Sequence, residues 1–173
     1  MMFNANDKVV YGLNGVCTIV DIKQLQFDSH RDQSAKYFYL HPIGSNDDHV
    51  IYVPVDKVLG GEGIMRKLLS KEELESVVER INDIEPLCLK NEKNRREEYK
   101  TAILSLAPEN CIAIIKSVKN RRRSSSTQRK NISETDLEFE KLATKVICLE
   151  LSEILGITYE EAEYRVFDKI DFE

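Results

Sequence analysis

Over its first sixty residues the chain sets short runs of strand-forming residues between clusters of turn formers. Val9, Val10 and Tyr11 follow a polar lead-in and predict a first strand. Gly12 to Gly15 reads as a turn, with Asn14-Gly15 the strongest short turn signal in the chain. A second strand is predicted from Val16 to Ile22, although its apolar residues Val16, Ile19, Val20 and Ile22 alternate only roughly. Lys36 to Leu40 and His49 to Val55 predict a third and a fourth strand. Pro54 has no N–H for a central ladder, so the fourth strand ends there or runs along an edge. Four short strands of this kind predict a small β-barrel.

Beyond the Gly60-Gly61-Glu62-Gly63 break, read as an interdomain hinge, the apolar period changes from strand-like to helical. Ser70-Lys71-Glu72-Glu73 is a capping box, and Leu74, Val77, Val78 and Ile81 behind it form an inward stripe that ends before Pro86. A second helix is predicted from Asn91 to Leu106, with Tyr99, Ile103 and Leu106 on one face. Pro108 opens a third, with stripe Ile112, Ile115 and Val118, which runs into Lys119-Asn120-Arg121-Arg122-Arg123. Ser124 to Thr127 is predicted as a loop. Ser133 is the expected N-cap of a fourth helix with stripe Leu137, Leu142, Val146, Leu149 and Leu151, closed by Gly156. Thr158 to Glu161 is a second capping box, opening a short last helix with Ala162, Val166 and Phe167 inward. The expected fold is therefore α+β, a small barrel over residues 1–65 followed by an all-α domain over residues 70–173.

Charge changes this picture more than composition does. The net charge of −5 conceals a block at residues 90–130 with 12 basic and 4 acidic side chains, followed by residues 131–173 with 4 basic and 12 acidic. Lys93, Arg95, Arg96 and Lys100 fall on the second predicted helix, and Lys119, Arg121, Arg122, Arg123, Arg129 and Lys130 at the end of the third and after it. In an antiparallel helical hairpin the two clusters merge, and such a patch binds phosphates without reading sequence. The alternative is a solvated basic face beside a helix C-terminus, which favours cations on its own. Residues alone leave these two open.

No phosphate-binding glycine loop, nucleophile elbow or zinc-protease motif occurs, and the paired carboxylates sit in turns or at helix starts, so no enzyme is expected. Cys17, Cys88, Cys111 and Cys148, with His30, His41 and His49, lack metal-ligand spacing. The cysteines read as small buried residues, and no metal or cofactor is expected. The longest apolar run, Cys111 to Ile115, is far short of the ~20 residues of a membrane span, and the N-terminus lacks signal-peptide character, so a cytoplasmic protein is expected.

Phe3, Asp7, Val9-Val10-Tyr11, Asn14-Gly15-Val16, Tyr37-Phe38-Tyr39-Leu40 and Ile51-Tyr52-Val53-Pro54-Val55 together resemble the start of the CarD/CdnL family, bacterial RNA polymerase-binding transcription regulators. The same module is similar to the polymerase-binding part of the transcription-repair coupling factor, whose motor domains would need hundreds more residues. The resemblance is strong over residues 1–70 and looser over 90–155. It implies a Tudor-like or SH3-like barrel that adds its edge to a sheet of the RNA polymerase β-subunit through Val50, Ile51, Tyr52, Val53 and Pro54. It further implies a helical domain that contacts promoter DNA, backbone and minor groove, through Lys93, Arg95, Arg96, Lys119, Arg121, Arg122 and Arg123. Contact with DNA alone would be weak, since linked modest contacts suffice. The outcome would be a changed open-complex lifetime. A monomer is expected, located with the nucleoid through the polymerase, although an exposed barrel edge can also pair with itself.

Three departures from the family pattern stand out. Some members place arginines at the positions of Leu25 and Tyr52, which shifts any electrostatic support to Lys23 or Arg31. The chain has no Trp, and Arg95 falls where the family carries one that wedges the minor groove. The turn Pro108-Glu109-Asn110 replaces the family's usual Ser-Gly-Asp. These features keep a rival open: an adaptor that binds polymerase or another protein through the barrel and ignores DNA. A third option is a ligand-binding aromatic cage of Tyr11, Tyr37 and Tyr39.

Overall fold

The computed structural model of the protein describes residues 3–25, 35–46, 48–61, 63–89, 92–128 and 132–170. The chain divides into two compact units, Met1–Leu68 and Leu69–Glu173. The first is a five-stranded antiparallel sheet and the second is helical, an α+β protein as its sequence pattern predicts.

In the first unit β1 (Lys8–Tyr11), β2 (Gly15–Leu25), β3 (Ala35–Pro42), β4 (Ile51–Pro54) and β5 (Met65–Lys67) pair in the order β4-β3-β2-β1-β5. Among the described residues the sheet is open, with β4 and β5 as its two edges. A 3₁₀ turn, Gly12–Asn14, joins β1 to β2, and Gly15 enters β2 at φ 72°, a conformation that glycine adopts without Cβ strain. Val9, Cys17, Ile19, Phe38, Leu40, Val53 and Met65 lie in one buried cluster closed by Phe3, whose ring meets Phe38 edge-on at 5.9 Å. The two edge strands each supply a member, Val53 and Met65.

The uneven alternation in β2 has a structural cause. The β2–β3 register shifts between Ile19 and Asp21, a bulge at Val20. Cys17 and Ile19 point inward before it and Ile22 after it, so the apolar phase slips by one residue. Sequence pattern did not reveal a short helix α1 (Val55–Leu59) or the three-residue β5, which pairs with β1. Gly60, Gly61 and Gly63 join these two elements inside the first unit, so they are an internal turn and not the hinge between units.

The helical unit comprises α2 (Lys71–Glu79), α3 (Arg95–Leu104), α4 (Pro108–Gln128), α5 (Glu134–Leu155) and α6 (Tyr159–Ile170). Both capping boxes form: Ser70 and Glu73 bond each other's backbone N–H, as do Thr158 and Glu161. α2 is shorter than its stripe suggests, and Ile81–Asp83 continues as a 3₁₀ turn that keeps Ile81 buried. α4 is longer than expected. It runs through the Ser124–Thr127 stretch, and its residues Cys111 to Val118 are all buried. The buried run includes Lys116, whose Nζ donates to the carbonyls of Asn82 (3.1 Å) and Ile84 (2.9 Å), tying the 84–89 segment to α4.

α5 departs most from its predicted stripe. Val146, Leu149 and Leu151 of that stripe are buried, but Leu137 is 48% exposed, and the inward face also takes Asp136, Phe139, Ala143, Ile147 and Glu150. Two of these are carboxylates that no apolar pattern can place. Glu150, fully buried, accepts the backbone N–H of Leu69 at 3.1 Å. Gly156 ends the helix at φ 65°.

Truncating Phe38 to Ala removes a buried ring from the core cluster of the sheet. Its cost is about 3–5 kcal/mol. Urea denaturation followed by tyrosine fluorescence should show this loss in the transition of the first unit.

Candidate docking edge and basic helical face

Among the described residues β4 pairs only with β3, in the register Phe38↔Val53, Tyr39↔Tyr52 and Leu40↔Ile51. Side chains alternate across a strand, so Val53 is buried in the core, Ile51 leans on it, and Tyr52 points away with half of its surface exposed. Tyr52 packs edge-to-face on Tyr39 at 4.6 Å between centroids. Lys23 Nζ lies 5.2 Å from the Tyr39 ring and 2.9 Å from Asp21. A row Lys23–Tyr39–Tyr52 therefore crosses the outer face of three strands and ends at the open edge. The salt bridge lowers the Asp21 pKa and raises that of Lys23, holding both charged. Pro54 closes the strand, and Val50, just before it, is half-buried. Arg31 lies outside the described residues.

The aromatic cage does not assemble. Tyr11 packs on the core side of the sheet, whereas Tyr37 and Tyr39 stand opposite Phe38 on the outer face. Three cysteines are buried as expected, and burial raises the Cys148 thiol to about 12. Cys88 differs and is exposed.

In the helical unit the two basic clusters do converge, because the start of α3 and the end of α4 both meet the first turns of α5. The meeting is made of ion pairs. Arg95 Nη1 donates to Ser133 Oγ (2.8 Å) and to Asp136 Oδ2 (2.9 Å). Arg96 bonds both oxygens of Glu138, one at 3.0 Å, and its guanidinium sits 5.7 Å from the Phe139 ring. Arg122 pairs with Glu140. Lys119 Nζ lies 4.4 Å from the Phe167 ring of α6. Lys93 is exposed in the 3₁₀ turn before α3, and Arg122 and Arg123 are exposed near the end of α4, with Arg121 half-buried. Arg129 and Lys130 lie outside the described residues.

The carboxylate that organises this junction was not legible in the sequence. Asp136 is 2% exposed and takes three side-chain donors: Arg95, the Ser133 hydroxyl (2.7 Å) and the Tyr99 phenol (2.9 Å). Ser133 also caps α5 by accepting the Asp136 N–H at 3.1 Å. The phenol is pushed up to about 12, chiefly by burial and then by its bond to Asp136. Arg95 is thus directed into the bundle, where Tyr99 and Phe139 also pack at 5.4 Å. The only advance signal was the Ser133-x-x-Asp136 spacing, which resembled an ordinary acidic first turn.

Residues 3–68 match a family model described as the CarD-like/TRCF RID domain. The match ends where the first unit ends, and the helical unit lies outside it. No curated protein matches the chain. The sheet unit is thus similar to the CarD-like/TRCF RID domain, in keeping with the CarD/CdnL resemblance of the N-terminal residues.

Asp136→Ala leaves the Arg95 guanidinium buried without its counter-charge, at a cost of roughly 3–5 kcal/mol in chemical denaturation. Asp136→Asn, which keeps the shape, should cost less. The folded-state pKa of Tyr99 lies above the ordinary value of 10.0. Its contribution to stability is therefore complete below pH 10.0 and fades as pH rises towards about 12. Phenolate absorbance during an alkaline titration should show a late-ionising tyrosine that Tyr99→Phe removes.

Proposed function

We propose that this protein is a CarD-type transcription regulator that docks on the RNA polymerase β-subunit through the open edge of β4. One observation carries the reading. A domain that matches the CarD-like/TRCF RID model holds Ile51 to Pro54 on a short edge strand, with Val50 just before it, core residues on one side and Tyr52 exposed on the other. An edge strand recruits a partner strand through its unpaired N–H and C=O groups, and the outward side chains select that partner. The domain assignment supports a non-catalytic role. Among the described residues no helix is long and apolar enough to cross a membrane.

The finer reading adds promoter contact through Lys93, Arg96, Lys119, Arg121, Arg122 and Arg123, changing the lifetime of the open complex. Arg95 falls out of that set, because its guanidinium is engaged with Asp136 and an inward arginine cannot enter a minor groove. The rival reading, a polymerase-bound adaptor without DNA contact, draws on the same ion pairs. Glu138 and Glu140 sit against Arg96 and Arg122, and a phosphate would have to displace them.

Tyr52→Glu should weaken binding to cognate RNA polymerase at least about tenfold while leaving the fold intact, since Tyr52 is outside the core. Biolayer interferometry with core enzyme checks this, and unchanged affinity would remove β4 as the docking edge. Open-complex lifetime on a fork-junction promoter separates the finer readings. Promoter contact predicts an altered lifetime that an Arg96→Ala/Arg122→Ala/Arg123→Ala variant restores towards the protein-free value. An unaltered lifetime with polymerase still bound assigns the adaptor role.

A further inference from the structure

The helical unit carries a groove that neither docking nor DNA contact uses. Its floor is the C-terminal half of α5, at Leu151 and Leu155, and its volume is about 330 Å³. Helix α5 packs against both α2 and α6, which form the two sides. Val78 continues the apolar floor on the α2 side, and Tyr164, 69% exposed, stands on the α6 lip.

The two sides differ in charge. The α2 side presents Glu75 and Glu79, and the α6 side presents Arg165 and Lys169 with Asp168 between them. Glu75 has a weak partner in Lys71, one turn earlier at 3.9 Å. Glu79, Arg165 and Lys169 have no ion-pair partner among the described residues. This contrasts with Arg95, Arg96 and Arg122, each of which is paired with a carboxylate of α5. Among the described residues the opposite charges of the two sides do not pair with each other. Something lying in the groove would meet both.

We infer that this groove receives an amphipathic helix of a partner protein, with an apolar seam on Leu155 and Tyr164 above the buried Leu151, a basic flank along Glu75 and Glu79, and an acidic flank along Arg165 and Lys169. A helix fits because the receptor is concave and built from two helices over a third, the setting in which apolar anchors spaced by three or four residues dock. Flanking charges then choose the direction in which the helix lies, as they do at coiled-coil seams. A two-signed groove gives such a preference, and a groove of single sign does not.

The test uses the full chain and synthetic helical peptides of roughly 15 residues, a length at which an isolated helix is marginal and gains from docking. The probe peptide carries a leucine seam with one lysine flank and one glutamate flank. A control peptide has the same seam and two glutamate flanks. Fluorescence anisotropy should show saturable binding of the probe, and preference for it over the control. Glu75→Lys/Glu79→Lys should weaken the probe about tenfold, as expected for two partly screened ion pairs, and should reverse the preference. Leu155→Lys, checked for folding by circular dichroism, should abolish binding of both. Absence of saturable binding, or equal preference in wild type and the double variant, would overturn the inference. So would self-association of the chain that Tyr164→Lys abolishes, because a second copy would then be the occupant.

Discussion

Asp136 is the constraint on which the helical unit depends. A carboxylate with almost no solvent contact is costly unless donors replace its water. Here Arg95, Tyr99 and Ser133 supply them. The same three contacts set the end of the 92–94 turn, the phase of α3 and the first residue of α5. Phe139, one turn beyond Asp136, then meets Tyr99 and the Arg96 guanidinium, so that polar and apolar contacts pin one pair of helices in one register. Such a network specifies an arrangement more than it adds net stability, since burying the pair offsets much of its own attraction.

This constraint also decides what the basic block is. Nine cations between residues 93 and 123 look like a phosphate-binding stripe when the chain is read linearly. In three dimensions the acidic start of α5 lies against them, and its alternate carboxylates, Asp136, Glu138 and Glu140, each take an arginine. Asp136 keeps Arg95 inside, whereas Glu138 and Glu140 leave Arg96 and Arg122 partly exposed. The surface is therefore two-signed. That reduces the phosphate affinity of Arg96 and Arg122 and makes the pairs sensitive to salt and to acid. Glu138 is held below its ordinary pKa by Arg96, so its share of stability is present above the usual carboxylate range and is lost as pH falls through its lowered value.

The β4 edge is shaped by different constraints. β4 is only four residues long and stops at Pro54, two devices that limit indiscriminate pairing of an open edge. Its outward Tyr52 continues an aromatic and cationic row that begins at Lys23. Tyr52 is supported by a second tyrosine, Tyr39, and through it by Lys23. The outward face at this edge is thus aromatic, with a cation two strands away on β2.

The sequence by itself determined the elements whose signals are local. The alternating runs made strands, Ser70, Ser133 and Thr158 opened helices, Gly156 closed one, and the motif around Val9 to Val16 and Ile51 to Val55 identified the first unit. These are set by neighbours three or four residues away, or by backbone preferences of single residues. Tertiary structure decided everything that needs a distant partner. The three-residue β5 exists because β1 offers it a ladder, and the bulge at Val20 shows only in the pairing with β3. Asp136 and Glu150 face inward because Arg95, Tyr99 and the Leu69 amide await them, which a hydrophobicity pattern reads as solvent-facing positions. Arg95 illustrates the limit most directly. Its charge was plain in the chain, but whether that charge faced DNA or the interior depended on a carboxylate 41 residues away.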